Sequence, residues 1–420
     1  MTPFLQLSLA LAILIAAAKI GGYLSYRLGQ PSVLGELIVG ILLGPSLFDV
    51  LHLAYFTDTH LPEVVHEFAE VGVLLLMFLA GLELDIKDLA RTGRVATLAG
   101  TLGVILPIAL GAIAGLAFGM NITHALFIGL ILAATSVSIS AQTLMELNML
   151  RSRVGFGLLG SAVFDDILVV LCLSIFTALT FATSPTQLSS IIVVILRMAI
   201  FLIASAGIGL LILPRASRRV NNLPVSQGLT AFTVVTILLY GWASEELGGM
   251  AAITGAFMAG LVFARSPVKE RIENNIVALA YGLFVPIFFI DVGLTANIRN
   301  MAGESLWLFL ALTLAAVIGK VVGSGAGGFL GGLSRREALQ LGLGMMSRGE
   351  VGLIVASVGV KQGIITEAIF SAVVGVVIIT TLLTPPLLRA SFRGALPLTS
   401  NVPPKNKTQR ESTTQGDTSE

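Results

Sequence analysis

Two adjacent acids, Asp165 and Asp166, lie in the middle of an apolar stretch that contains no other charged residue, LLGSAVFDDILVVLCLSIF. A charged side chain at the centre of a bilayer costs at least about 2.5 kcal/mol, so acids at that depth usually bind ions or protons. Adjacent residues of a helix point about 100° apart, and two such carboxylates cannot both address one small ion head-on. The pair therefore predicts an ion or proton site in which each acid has its own partner.

The composition indicates that this stretch is one of many membrane segments. Of the 420 residues, 55% are hydrophobic and 12% are charged, and the mean hydropathy is +0.94. Long apolar runs recur along the chain, which is typical of a polytopic α-helical membrane protein. The net charge of +1 does not indicate nucleic-acid binding. A single cysteine, Cys172, and four histidines without ligand spacing provide neither a disulfide nor a metal site, so we expect no cofactor.

The sequence predicts an all-α membrane protein with thirteen transmembrane helices in residues 1–390 and a disordered cytoplasmic tail in residues 391–420. The first apolar segment begins at Met1 without a preceding basic region, so no cleavable signal peptide is expected. The segments lie at about residues 4–27, 33–51, 69–84, 95–118, 123–147, 155–183, 188–213, 225–244, 249–264, 275–293, 304–332, 337–361 and 364–388.

Basic residues are concentrated in every second loop between these segments. Of the 25 Lys and Arg residues, 19 follow odd-numbered segments, whereas the opposite side has only Arg299 and Lys361. Because cytoplasmic loops collect Lys and Arg, the alternation predicts an external amino terminus and a cytoplasmic carboxyl terminus. Lys19 and Arg197 lie inside segments, where we expect them to snorkel or to make helix contacts.

Glycine stripes indicate an internal repeat. The fourth segment carries Gly111, Gly115 and Gly119, and the eleventh carries four glycines at the same spacing of four residues, Gly319, Gly323, Gly327 and Gly331. Such small-residue stripes let helix backbones approach closely in lipid. The two segments are seven apart, an odd number, so they point in opposite directions across the membrane. The pattern predicts inverted repeats, the arrangement in which many transporters build a central site.

The same offset pairs the fifth segment with the twelfth, and polar residues interrupt both. Thr135 and Ser136 interrupt the fifth, while Ser347, Arg348 and Glu350 interrupt the twelfth. Broken backbone is tolerated at membrane depth only where it is buried in protein or lines a cavity. We therefore predict two discontinuous helices. For the nearby hydroxyls of the fifth segment, bonding back to the preceding turn of an intact helix remains an alternative.

The embedded charges suggest a division of labour. One aspartate is expected to pair with Lys320, and the other to bind a cation together with oxygen atoms from the fifth segment. Asp166 with Thr135 or Ser136 and water would supply the oxygen ligands that hard cations prefer. A cation and protons would compete for such a site, and a carrier that crosses only when loaded performs antiport.

Four motifs, in order, resemble the signatures of the monovalent cation:proton antiporter-2 family. They are PSVLGELIVGILLGPSL, VGVLLLMFLAGLELD, ATSVSISAQTLMELNMLRSRVGFGLLGSAVFDDILVVL and MMSRGEVGLIVA, and the resemblance covers about residues 30–388. Within the family, the Asp-Asp pair after a TSVSI-like break is similar to the bacterial Nap-type and Ger-type sodium/proton antiporters.

This resemblance implies a bacterial membrane homodimer in the lipid bilayer, with crossed discontinuous helices in a core domain, a separate dimerisation domain and an elevator-like movement. The Asp-Asp pair implies more than one proton per cation. By position, the resemblance implies an ion-binding role for Asp166, a pair of Asp165 with Lys320, broken-helix ligands in Thr135 and Ser136, and charges on the opposite broken helix in Arg348 and Glu350.

Three alternatives predict other features. A potassium channel or gated efflux system of the same family would require a gating domain after the last segment, where about thirty tail residues lie. An intramembrane aspartyl protease needs its two aspartates on separate helices, which adjacency contradicts. A membrane sensor or scaffold predicts that neutralising Asp166 changes little. The sequence indicates a transporter rather than an enzyme, and it does not choose among sodium, lithium and potassium.

Overall fold

The computed structural model describes residues 1–83, 92–181, 187–295 and 305–392. In these ranges every regular element is helical, which confirms the predicted all-α fold; most of the predicted disordered tail lies outside the described residues. The helices are α1 Pro3–Arg27, α2 Ser32–Leu43, α3 Leu61–Glu83, α4 Gly93–Ala117, α5 Ile122–Ala133, α6 Val137–Glu146, α7 Arg153–Phe181, α8 Gln187–Asn221, α9 Gly228–Ala243, α10 Ala252–Phe263, α11 Lys269–Leu279, α12 Val285–Leu294, α13 Ser305–Leu330, α14 Arg335–Gly344, α15 Glu350–Lys361 and α16 Glu367–Ser391.

Each of the thirteen apolar segments contains one helix or two helix halves. Within the described ranges, nine helices or continuous helix pairs are long and apolar enough to cross a membrane, and α2 and α10 are shorter apolar helices. The fifth segment breaks at residues 134–136, between α5 and α6, and the twelfth breaks at residues 345–349, between α14 and α15. The two predicted discontinuous helices are thus confirmed.

Two helices contain π-helical turns that the hydropathy pattern does not reveal. One turn, Ser244–Gly248, ends α9, and another, Ala280–Phe284, joins α11 to α12. A π-helical turn inserts an extra residue, shifts the side chains that follow onto another face, and often lies at a functional position.

The helices pack into two bodies. We call α4–α7 with α13–α16 the core body, and α1–α3 with α9–α12 the flanking body; α8 packs against α7, α9 and α10. The two predicted repeats show the same packing within the core body, where α4 packs against α5 as α13 packs against α14. The boundary between the bodies is formed mainly by α2 and α3 on one side and by α6 and α16 on the other.

Glycines bring backbones together inside each body. In the core body, a Cβ at Gly319 would lie 2.9 Å from the Cα of Pro107 on α4. In the flanking body, a Cβ at Gly293 would lie 2.6 Å from the Cα of Gly40 on α2. None of the glycines whose surroundings the structure describes makes such a backbone approach across the boundary. Gly119, the third member of the predicted stripe, instead follows the end of α4 with φ +76.

We predict that Gly129→Ala destabilises the protein. A Cβ at Gly129 would overlap the carbonyl oxygen of Ile108, so α4 and α5 would have to separate. Forcing an extra methyl group into such a contact costs about 1–3 kcal/mol. The measurement is the apparent melting temperature of the monodisperse protein in detergent. The control is Gly207→Ala on the exposed face of α8, where a Cβ meets nothing within 4 Å. Equal melting temperatures for the two variants would contradict the prediction.

Candidate functional site

The centre of the core body is a buried ion pair between α7 and α13. The Nζ atom of Lys320 lies 2.7 Å from Oδ1 and 3.0 Å from Oδ2 of Asp165. Both residues have a relative exposure of 0%. A charge this deeply buried is tolerated when it is paired and hydrogen-bonded, and removing one partner leaves the other uncompensated. The pair therefore fixes α7 relative to α13.

Thr135 completes the environment of Asp165. Its hydroxyl donates to Oδ2 of Asp165 over 2.5 Å, from the extended segment between α5 and α6. One carboxylate thereby connects α7, α13 and the break in the fifth segment. The sequence proposed Thr135 or Ser136 as a ligand beside Asp166; the structure places the Thr135 hydroxyl on Asp165.

Asp166 points away from this pair, toward the flanking body. The hydroxyl of Thr254, on α10, lies 3.4 Å from Oδ2 of Asp166. The two residues line a cavity of about 10 Å³, about enough for one water molecule, whose other walls are apolar and belong to α3, α6, α7 and α10. The rotation of about 100° between adjacent helical residues thus sends Asp165 into the core body and Asp166 to the boundary.

The sequence does not reveal the contribution of Thr254. It lies in the apolar helix AITGAFMAGLVF, where a threonine hydroxyl ordinarily bonds to the preceding turn. The packing of α10 against α3 places this hydroxyl beside a carboxylate 88 positions earlier in the chain.

The two broken helices cross and bond to each other at their breaks. The backbone N–H of Ser136 donates to the carbonyl of Ser347 over 2.9 Å, and the Ser347 hydroxyl donates to the carbonyl of Ser136 over 2.5 Å. The Ser140 hydroxyl donates to the carbonyl of Gly344, at the end of α14, over 2.5 Å. A Cβ at Gly349 would lie 2.6 Å from the Ser136 hydroxyl, so a larger residue there would displace the Ser136 side chain at the crossing.

Arg348 binds two carbonyl groups at the breaks and one on α13. Its guanidinium donates to the carbonyls of Leu132 (2.6 Å), Ala316 (3.0 Å) and Met346 (2.5 Å). Leu132 belongs to the last turn of α5, the negative end of that helix dipole. The residue is 1% exposed, so the guanidinium charge is fully inside the core body. Glu350 begins α15, and its side chain lies outside what the structure describes.

The two remaining embedded cations also bind carbonyls. Lys19 donates to the carbonyl of Tyr281 over 2.7 Å. Arg197 donates to the carbonyls of Glu246 (2.5 Å) and Leu247 (3.0 Å). Both sets of carbonyls belong to the two π-helical turns, where the helical hydrogen-bond pattern is interrupted. Lys19 and Arg197 therefore have structural contacts that sequence reasoning could not locate.

The arrangement gives the two acids different chemical possibilities. Asp165 is engaged with Lys320 and Thr135, so its charge is balanced locally. Asp166 presents carboxylate oxygens beside a hydroxyl at the boundary, and such oxygens are suitable ligands for a hard monovalent cation or a proton. Of the two acids, Asp165 is therefore held inside the core body by its partners, and Asp166 faces the flanking body.

Comparisons with known proteins agree with this architecture. Residues 12–390 match the family described as "Sodium/hydrogen exchanger, transmembrane". The chain is 39% identical to the Na(+)/H(+)-K(+) antiporter GerN of Bacillus cereus, over 91% of this chain and 95% of that protein. It is 34% identical to the high-affinity Na(+)/H(+) antiporter NhaS3 of Synechocystis sp., over 92% of this chain and 90% of that protein.

A solved structure shares the fold. The sodium proton antiporter MjNhaP1 from Methanocaldococcus jannaschii superposes with a TM-score of 0.64 at 17% identity, over 94% of this chain and 98% of that one. The resemblance predicted from the four motifs is confirmed by the family match and the close relatives. The chain belongs to the sodium/hydrogen exchanger family of transmembrane proteins.

Proposed function

We propose that this protein exchanges a monovalent cation for protons across the membrane, with Asp166 as the binding group. Na⁺ is the first candidate cation. The observation that carries the proposal is the position of Asp166 at the boundary between the two bodies, beside a buried pair that neutralises Asp165. Family membership and relatives named as Na⁺/H⁺ antiporters support it.

The proposed mechanism is alternating access by movement of the core body against the flanking body. A bare carboxylate at membrane depth carries a penalty of several kcal/mol, whereas one that binds a proton or a cation does not cross as a free charge. The core body therefore carries Asp166 across the barrier when this residue binds a proton or a cation, and it does not move when the carboxylate is bare. Because proton and cation occupy the same oxygens in turn, movement of one in one direction is coupled to movement of the other in return.

We propose that the exchange is electrogenic. The site contains two carboxylates, so the proton-loaded half of the cycle can carry more than one proton while the other half carries one cation. Lys320 would hold Asp165 ionised when the cation is bound, and the pair would take up a proton when the cation has left. A net charge then moves in each cycle, and the rate depends on the membrane potential.

Potassium is the second candidate cation, because the name of GerN includes K⁺. A potassium-transporting member of the same family would use the same carboxylate, so cation titration distinguishes the two. Li⁺ belongs in the same titration.

We further propose that the chain is an integral membrane homodimer with an external amino terminus and a cytoplasmic carboxyl terminus. The one-sided distribution of Lys and Arg supports the orientation. Only 28% and 17% of the most apolar 18 residues of α1 and α8, respectively, are buried. The exposed apolar surfaces of these helices support contact with lipid or with a second copy of the chain.

We expect Asp166→Asn to abolish cation-dependent proton movement. The amide has nearly the same shape as the carboxylate but neither ionises nor binds a proton, so the cycle cannot load. The measurement is Na⁺-driven dequenching of a pH-sensitive dye in proteoliposomes. The matched control is Asp291→Asn on α12, since Asp291 is 7% exposed and Asp166 is 8% exposed. Dequenching by Asp166→Asn at the wild-type rate would refute the role of Asp166.

We expect Lys320→Ala to lower the stability of the protein, because it leaves the buried Asp165 carboxylate without its countercharge. Removing one partner of a buried pair costs about 3–5 kcal/mol. The double variant Asp165→Asn/Lys320→Met removes both charges and should recover part of the loss. The apparent melting temperature measures stability, and transport at clamped potentials measures voltage dependence. If Lys320→Ala alone changed neither the melting temperature nor the voltage dependence of transport, the result would count against the Asp165–Lys320 pair.

A further inference from the structure

A second group of hydrogen bonds crosses the boundary, away from the ion-pair site. The hydroxyl of Tyr281 donates to Oε1 of Gln142 over 2.9 Å. Tyr281 belongs to the π-helical turn of the flanking body, and Gln142 to α6 of the core body. The Nε2 atom of Gln142 in turn donates to Oε1 of Glu146, one turn further along α6, over 2.9 Å.

Glu146 continues this chain of hydrogen bonds back to the flanking body. Its carboxylate accepts from the backbone N–H of Ser32 over 2.7 Å and from the Ser32 hydroxyl over 2.5 Å. Ser32 is the first residue of α2, whose initial N–H groups have no partners within the helix. A carboxylate at this position satisfies one N–H group and interacts favourably with the positive end of the helix.

The partners on each side are anchored to their own body. Lys19 holds the carbonyl of Tyr281, and the backbone of Gly72 packs closely on that of Phe284 in the same turn. On the core side, the Ser140 hydroxyl fixes α6 to the end of α14. These cross-boundary bonds therefore connect two tightly packed units rather than two loose side chains.

We propose that Ser32, Gln142, Glu146 and Tyr281 form a latch that stabilises one of the two positions of the core body. The inference rests on the proposed function, since it requires the core body to move. Any displacement of α6 along α2 and the π-helical turn breaks these bonds. The latch therefore favours the observed position of the core body over its second position. It sets the fraction of resting molecules that is open to each side of the membrane.

The test compares two tyrosine hydroxyls. Tyr281→Phe removes a bond that crosses the boundary. Tyr240→Phe removes a bond of the same length, 2.9 Å, from the Tyr240 hydroxyl to the carbonyl of Ser205, between α9 and α8. The apparent KM for Na⁺ is measured in right-side-out and in everted membrane vesicles.

In a carrier with two states, the apparent affinity on each side is the intrinsic affinity multiplied by the fraction of molecules open to that side. Loss of one hydrogen bond changes the ratio of the two states about two- to tenfold. Tyr281→Phe should therefore change the ratio of the two KM values by that factor. Tyr240→Phe should leave the ratio unchanged. A general loss of stability would not move the two KM values in opposite directions.

A second variant keeps the proposal falsifiable if Tyr281→Phe is poorly expressed. Gln142→Met removes the acceptor of the same bond and should shift the KM ratio in the same direction. Adding Tyr281→Phe to Gln142→Met should change the ratio much less than Tyr281→Phe does alone, because both remove the Tyr281–Gln142 bond and only a 3.7 Å contact with Sδ of Met145 is left to the hydroxyl. An unchanged ratio in the single variants, or independent and additive shifts, would overturn the latch. Wild-type vesicles that show no exchange at all would instead refute the proposed function.

Discussion

The fold depends on a constraint imposed by the membrane: a buried positive charge needs a buried negative charge at contact distance. Lys320 and Asp165 meet this requirement at 2.7 Å with no exposure to solvent. Their contact joins α7 to α13, and the glycines of α13 allow that helix to lie close against α4. Once Asp165 faces inward, helix geometry turns its neighbour Asp166 to the boundary. The position of Asp166 at the boundary is thus set by the contacts that hold Asp165 inside the core body.

Two broken helices at membrane depth create a second requirement, since their ends expose polar backbone groups without water to satisfy them. The crossing meets this requirement because each break supplies hydrogen bonds to the other, through Ser136 and Ser347. Arg348 binds the carbonyl of Leu132 at the end of α5. The polar centre of the core body is therefore almost self-contained. Asp166 is the acid of the pair that faces out of it toward the second body.

Several features were predictable from the sequence because charge and polarity are rare in this chain. The apolar segments, the two breaks and the need of an aspartate for Lys320 follow from local composition and the cost of burial. Other features depend on which helices become neighbours. The sequence did not indicate that Arg348 binds carbonyls, that Thr254 reaches Asp166, or that Tyr281 lies on a π-helical turn facing Gln142. These contacts join positions 88 to 216 residues apart, and no local pattern encodes them.

The difference between the interior of each body and the boundary has an evolutionary consequence. Inside the bodies, backbones touch at glycines, so nearly any substitution there disturbs folding. At the boundary, side chains such as Thr254 and Tyr281 contact the opposite body. A boundary side chain such as Thr254 and a packing glycine such as Gly260 can therefore be under different selection, although both lie on α10. A family built in this way can diversify its cargo and keep the same scaffold.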